Sequence, residues 1–315
     1  RRGHFECASL HRMKAALDAA GRPTAWLHRK ASAFHNLSPT TAQELADPES
    51  YRGSAWGQYD VPYAFPNILT DYSRVEAPVK IGPWRSVFSP PCTFARECFV
   101  DEIAATAGRD PLELRLSLLD PPTFSVAGRN VDRRRFRHVL ELAAEKAGWG
   151  SRLPQAEGRR FGRGLAGNVY DYETHLAYVA EVSVGPKGDV AVHRVVCAVD
   201  CGQPVNRLGI EGQIESGVLW GLSAALKGEI TFSRGRVEQS GYDDYPVMRL
   251  NEAPAIEVHI VPSDGAPRGL GEPPVPPIAP AVLNAVFAAT GRRVRRLPLR
   301  SSDLAFKEGA ERAPL

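Results

Sequence analysis

One carboxylate in this chain stands between glycines and a run of prolines. In GLGEPPVPPIAPAV, residues 269–282, Glu272 follows Gly269 and Gly271 and precedes Pro273, Pro274, Pro276 and Pro277. Glycine opens backbone angles closed to other residues, and Pro273 biases Glu272 toward an extended conformation. A loop with so little freedom left to lose can present a side chain with small reorganisation, as a general base requires. On local composition alone, an exposed glutamate in a proline-rich connection is the plainer reading.

Two further stretches carry chemistry-bearing residues. In IEGQIESGVLWG (210–221), Gly212, Gly217 and Gly221 punctuate an apolar helical pattern. They admit either another backbone or a flat ligand, and Gln213 lies near the helix start, where free N–H groups favour anionic or strongly polar ligands. Close helix packing through small residues is the alternative. In GPWRSV (82–87), Arg85 offers a planar fork suited to a carbonyl, carboxylate or phosphate, against the alternative of a surface ion pair. His175 and His193 have no partner at metal-ligand spacing and read as structural. The sequence contains no Ser-His-Asp signature and no P-loop.

The elements around these loops read as α+β. SLHRMKAALDAAGRPTAWLHRKA reads as a hairpin turning at DAAGRP, and 50–91, rich in Tyr, Trp, Pro and Gly, as irregular ordered loops. A helix follows over 92–108, closed by Gly108, and a second starts from Asp110 as N-cap with Pro111 in its first turn. DPPTFSVAGRN (120–130) is a soft break, placing one domain at 1–122 and another at 123–315. A third helix is predicted over 133–147. The alternation in 176–184 and 190–200 predicts a hairpin, followed by a helix at 210–226, short strands at GEITF and AIEVHIVP, and a last helix at about 279–289. This order does not repeat a βαβ unit.

Bulk properties bound the function. The 315 residues carry a net charge of +3, so no whole-molecule field points to nucleic acid. The clusters RRRFR (133–137) and RRVRR (292–296) read as a solvated helix face and a solvated chain end. No apolar run reaches the ~18 residues of a membrane span. Five scattered cysteines fit buried thiols better than a disulfide framework or a metal or iron–sulfur site, which favours the cytoplasm over the periplasm.

Together the three stretches resemble the molybdenum hydroxylase family, relatives of xanthine dehydrogenase and aldehyde oxidoreductase, and most of all the large (beta) subunits of the isoquinoline 1-oxidoreductase kind. The resemblance runs through GPWRSV with FARECFVDEIAATAGRDPLELRLSLL, through HRVVCAVDCGQPVNRLGIEGQIESGVLWGLSAALKGEIT, and through GLGEPPVPPIAPAVLNAVFAATGRRVRRLP, in that order. It implies mixed sheets with packed helices, in two molybdopterin-binding domains. It further implies Glu272 as the base, Gly212, Gln213 and Gly271 against a molybdopterin cofactor, a cytosine dinucleotide in bacterial relatives, and Arg85 orienting substrate. No protein ligand to the metal is implied, because the cofactor's own sulfurs hold it.

The implied reaction is hydroxylation of an N-heteroaromatic or aldehyde substrate with oxygen from water, and electrons leave through a small subunit carrying [2Fe-2S] clusters. The family's GGxFG and MGQG segments are not found here. The chain is therefore expected to be a C-terminal portion working with a complementary N-terminal half. The alternative expectation is a half-subunit that serves assembly and cofactor holding without catalysing alone.

Overall fold

The computed structural model describes residues 5–33, 58, 61–77, 79, 81–126 and 129–306, with the backbone alone at 124–126, 129 and 130. The chain divides into two compact units, Arg1–Arg133 and Arg134–Leu315.

In the first unit, β1 (Ser9–Leu17) and β2 (Pro23–Ser32) form the expected antiparallel hairpin. Asp18 accepts the N–H groups of Ala20 and Arg22 in the turn, and Gly21 takes φ 72°. The expectation of irregular loops over 50–91 fails in part: β3 (Asn67–Arg74) pairs in parallel with β2. Its Tyr, Asn and Asp content hides a strand whose side chains are mostly exposed. Of residues 50–60, all but Gln58 lie outside the described residues.

Helix α1 (Ser89–Thr106) packs under the sheet, ends before Gly108 at φ 63°, and brings Phe99 to 5.3 Å from the Trp26 ring. Asp110 caps α2 (Pro111–Ser117) by accepting the N–H groups of Leu112 and Glu113. Between these helices lies a dry ionic cluster. Glu97 receives Arg115 Nε at 3.1 Å and Tyr63 Oη at 3.1 Å, with Arg96 beside it at 3.2 Å. The expected break at 120–130 holds a small hairpin, β4 (Thr123–Val126) with β5 (Arg129–Asp132).

The second unit is built on the sheet order β11-β8-β7-β6. Helix α3 (Arg133–Ala147) opens it at the predicted bounds. Strands β6 (Arg160–Tyr170), β7 (Thr174–Val184) and β8 (Val190–Asp200) run as an antiparallel meander. Helix α4 (Arg207–Leu226) follows, then a minimal hairpin of β9 (Phe232–Ser233) and β10 (Arg236–Val237). Strand β11 (Ala255–Ile260) joins β8 in parallel, and α5 (Ile278–Thr290) closes the unit.

Strand β6 went unseen in the sequence because glycines, poor strand formers, fill it. They are there for the helices. A Cβ on Gly162 or Gly164 would strike the backbone of α5 at Ala281, Asn284, Ala285 and Ala289. On the opposite face, a Cβ on Gly167 would stand 2.6 Å from the Phe136 ring of α3. The sheet is thus sandwiched between α5 and α3, and β7, buried along almost its whole length, is the core strand. Asn284 of α5 donates to the Leu165 carbonyl of the edge strand β6 at 3.0 Å.

The basic clusters are structural rather than merely solvated. Arg133 is buried and donates to the carbonyls of Pro62 and Pro121, and Arg135 pairs with Asp200. Arg292 donates to the carbonyls of Asp303 and Ala305, and Arg296 faces Glu229. All five cysteines are buried free thiols. Among the described residues no helix is long and apolar enough to cross a membrane.

Candidate active site

The Glu272 loop is held at several points by the end of the β6–β7 hairpin. Tyr170, the last residue of β6, donates its phenol O–H to Glu272 Oε2 at 2.5 Å. Thr174, the first residue of β7, donates to the Gly269 carbonyl at 3.4 Å, and Tyr178 donates to the Pro274 carbonyl at 3.0 Å. Between the strands, Glu173 pairs with Arg268 at the head of the loop. Asp171 and Tyr172, at the tip, adopt φ 48° and 66°. Left-handed backbone at two successive non-glycine residues costs on the order of 1 kcal/mol or more each and persists where surrounding contacts impose it.

Downstream of the acid, Pro273 to Pro277 are buried, and the Glu272 carbonyl accepts the Val275 N–H at 3.1 Å. The prolines therefore do more than stiffen the loop: they plug it into the core ahead of α5. Glu272 itself is half-buried.

Helix α4 lies against this plug. A Cβ on Gly217 would collide with Pro274, and one on Gly221 with Ile278, so these two glycines serve helix packing. Gly212 differs: nothing lies within 4 Å of where its Cβ would be, and the same is true of Gly269 and Gly271. Gly212 and Gln213 are exposed on the first turns of α4, and Gln213 precedes Gly217 by about one turn on the same face. The helix face that meets Pro274 therefore also carries Gln213.

The approach to α4 is fastened separately. Asn206 caps the helix by accepting the Gly209 N–H at 2.9 Å. Gly202, at φ 71°, turns the chain after β8 so closely that a Cβ would meet the Ala266 carbonyl. Gln203 N–H donates to the Gly265 carbonyl and Arg268 N–H to the Cys201 carbonyl, both at 2.8 Å. The segment entering α4 and the segment entering the Glu272 loop are thus sewn together by backbone hydrogen bonds. The structure brings Glu272, Gly271, Gly212 and Gln213 onto one loop and the helix it packs on.

Arg85 belongs to the first unit. It is half-buried and precedes Ser86 and Val87, which take φ 80° and 52°. For the β-branched Val87 this is a strained backbone, closed by its N–H on the Trp84 carbonyl at 2.7 Å. Trp84 N–H donates to Glu6, whose carboxyl burial pushes up to about 7.

Sequence reasoning missed Tyr170. Its partner lies 102 residues away and no local pattern marks it. Burial first, then the hydrogen bond to Glu272, pushes the phenol far above its ordinary range. Tyr170 thus stays protonated and acts as a donor, leaving Glu272 as the acceptor of the pair.

The donor set suits a large, flat, polar ligand. Open Cα positions at Gly212 and Gly271 allow close approach of the backbone, and the Gln213 amide offers both donor and acceptor. The described residues hold no group of three or more His, Cys, Asp or Glu placed to bind a metal ion.

Residues 110–254 match the molybdopterin cofactor-binding domain family. The chain is 31% identical over 264 residues to a nicotinate dehydrogenase subunit of Pseudomonas putida, covering 79% of this chain and 21% of that protein. It is 31% identical over 276 residues to the isoquinoline 1-oxidoreductase beta subunit of Brevundimonas diminuta, covering 87% and 32%. The chain thus spans about a fifth to a third of the length of these relatives. In fold it resembles quinoline 2-oxidoreductase from Pseudomonas putida 86, with a TM-score of 0.76 at 14% identity over 94% of this chain and 61% of that one. The aldehyde oxidoreductase of Desulfovibrio desulfuricans superposes with a TM-score of 0.70 at 16% identity, covering 95% and 49%.

Proposed function

Given that this chain belongs to the molybdenum hydroxylase family, of the xanthine dehydrogenase and aldehyde oxidoreductase type, we propose that it carries the catalytic base for hydroxylation of an electron-poor carbon. The substrate class is an N-heteroaromatic ring or an aldehyde, and water is the oxygen source. When bound, the molybdenum cofactor supplies a Lewis-acidic centre that accepts two electrons.

The chain's own residues do the rest. Glu272 takes a proton from the water-derived oxygen nucleophile. Gly212 and Gly271 admit the flat pterin, taken to be the cytosine dinucleotide form, and Gln213 hydrogen-bonds to it. Arg85 orients the substrate through its fork of donors. The electrons pass to a partner subunit with [2Fe-2S] clusters. Residues 1–122 belong to a first cofactor-binding domain and 123–315 to a second. The five buried free thiols favour a reducing compartment, the cytoplasm.

The observation that carries this reading is the fixing of Glu272. Its side chain is bonded to Tyr170, and the loop that bears it is packed on the helix that presents Gly212 and Gln213. Glu272→Gln in the assembled enzyme tests it. Turnover falls by at least about a hundredfold, the usual scale of general-base loss, at unchanged molybdenum content. Near-normal turnover at full molybdenum content refutes the assignment.

A second reading is favoured by one feature of α4. Leu208, 81% exposed, lies on the same helix face as Gly212, and Val205 just before the helix is 79% exposed. Exposed apolar side chains beside the cofactor face suit a further polypeptide segment covering them. On this reading the chain holds cofactor only together with a complementary half and is inactive alone. Molybdenum and pterin content, with and without that half, decides between the two.

A further inference from the structure

We infer that Tyr170 is a positioning residue for Glu272: its phenol O–H, donated to Glu272 Oε2 at 2.5 Å, fixes the orientation in which the carboxylate faces its reaction partner. The inference rests on the reading of Glu272 as the base. Three observations carry it.

The first is where each side chain is anchored. Tyr170 ends β6, which pairs with the core strand β7 through Tyr170 and Thr174. Glu272 sits in a loop where nothing lies within 4 Å of the place a Cβ would take on Gly269 or Gly271. The bond ties a side chain on an open loop to one on the sheet.

The second is the company of that bond. Thr174 on the Gly269 carbonyl, Tyr178 on the Pro274 carbonyl and Glu173 on Arg268 hold the loop's backbone and its entry from the same hairpin. They place the loop. Tyr170 reaches the carboxylate itself, so it bears on the side chain's rotation as well. A charge-assisted O–H···O⁻ bond this short is among the stronger hydrogen bonds available to a protein.

The third is the strained tip. Asp171 and Tyr172 take left-handed angles directly after Tyr170. This lets β6 stay paired through Tyr170 before the chain reverses, and so delivers the phenol at the strand's end. Tyr170 cannot stand in as the base, because burial and the adjoining carboxylate keep it protonated.

The test uses the assembled enzyme in two arms. In the first, Tyr170→Phe is expected to lower kcat about ten- to a hundredfold, the scale of a misplaced catalytic group, with KM within about threefold of wild type. Adding Tyr170→Phe to Glu272→Gln causes no further loss, because the phenol acts only through the carboxylate.

In the second arm, a fluorotyrosine placed at position 170 reports its own hydrogen bond through its fluorine resonance, without reference to activity. Its resonance is expected to move when Glu272→Gln replaces the charged acceptor. This arm keeps the ring in place and so serves where Tyr170→Phe does not assemble. Full activity of Tyr170→Phe beside an inactive Glu272→Gln overturns the inference and leaves the base reading standing, as does a fluorine resonance unmoved by Glu272→Gln. Near-normal turnover of Glu272→Gln, by contrast, removes the base reading itself.

Discussion

Arg135, in the first turn of α3, grips Asp200 at the end of β8 with two parallel hydrogen bonds of 2.7 and 2.6 Å. Asp200 uses the same carboxylate to accept the Gly202 N–H at 3.1 Å. Burial opposes its charge, but Arg135 and that N–H outweigh the penalty and hold its carboxyl below the usual range. Arg135 therefore sets the turn that leads from the sheet to α4.

Arg135→Ala leaves Asp200, 4% exposed, without its counter-charge. The expected loss is about 1.5–3 kcal/mol, the scale of hydrogen bonds to charged groups. Because Asp200 contributes stability that is lost as pH falls through its depressed pKa, the variant also shows a weaker acid dependence below the ordinary aspartate value of about 4. Thermal melts across that range, compared with wild type, check both statements.

Gly212→Ala separates folding from cofactor binding. Its Cβ meets nothing within 4 Å inside a helix, so alanine is expected to stabilise the chain by about 0.5–1 kcal/mol. The same methyl stands where the pterin is proposed to approach, and molybdenum content of the purified enzyme falls. A stabilised variant with full molybdenum content removes Gly212 from the cofactor site.

Gly164→Ala has the opposite signature. Its Cβ would run into the backbone of α5 at Ala281, Asn284 and Ala285, which cannot rotate away. Overpacking of this kind costs about 1–3 kcal/mol or more. Denaturant titration reads the loss directly, and an unchanged midpoint would mean that α5 stands farther from β6 than the structure places it.

Glu97→Gln tests the ionic cluster of the first unit. Glu97 and Arg115 are both fully buried, and removing the Glu97 charge leaves Arg96 and Arg115 against Asp101, 4.0 Å from Arg115, in a dry interior. The expected penalty is about 3–5 kcal/mol, far more than neutralising the exposed Arg22 of the surface pair Arg22–Asp18 would cost.

How much of this was legible in sequence depended on whether the signal was local. Asp110 and Pro111 announced α2, Gly108 ended α1, and 133–147 showed its amphipathic face, because caps and periodicity act within a few residues. Strand β6 was hidden by Gly162, Gly164 and Gly167, whose purpose is to admit helices over a hundred residues downstream and about thirty residues upstream. In α4 three glycines looked alike. Only the neighbours at Pro274 and Ile278 distinguish the packing pair, Gly217 and Gly221, from the open Gly212. The Glu272 loop was legible as rigid, but its holders on β6 and β7 were not.

A last prediction concerns acid stability. His28, 1% exposed, shares a 2.8 Å hydrogen bond with His11, and burial first of all pushes both pKa values down to about 3. The pair, His28 buried and His11 half-buried, is thus neutral when folded, while an unfolded histidine binds a proton below about pH 6.5. Stability from this pair is full above about 6.5 and drains as pH falls toward 3, by up to about 1.4 kcal/mol per pH unit for each proton. Glu6, with its pKa raised to about 7, acts in the reverse sense between its ordinary value and 7, one group against two. Melting temperature is expected to drop on acidification, and His28→Gln to flatten that slope.

Strand register has a chemical consequence in this protein. Successive side chains of β6 alternate between the sheet's two faces, and Tyr170 closes that strand opposite Thr174. A single residue inserted between 160 and 169 would turn the phenol to the wrong side and unhook the acid without touching its loop. The address of the proton acceptor is therefore written in the parity of a strand a hundred residues away, and redesign of this pocket has to begin at that count.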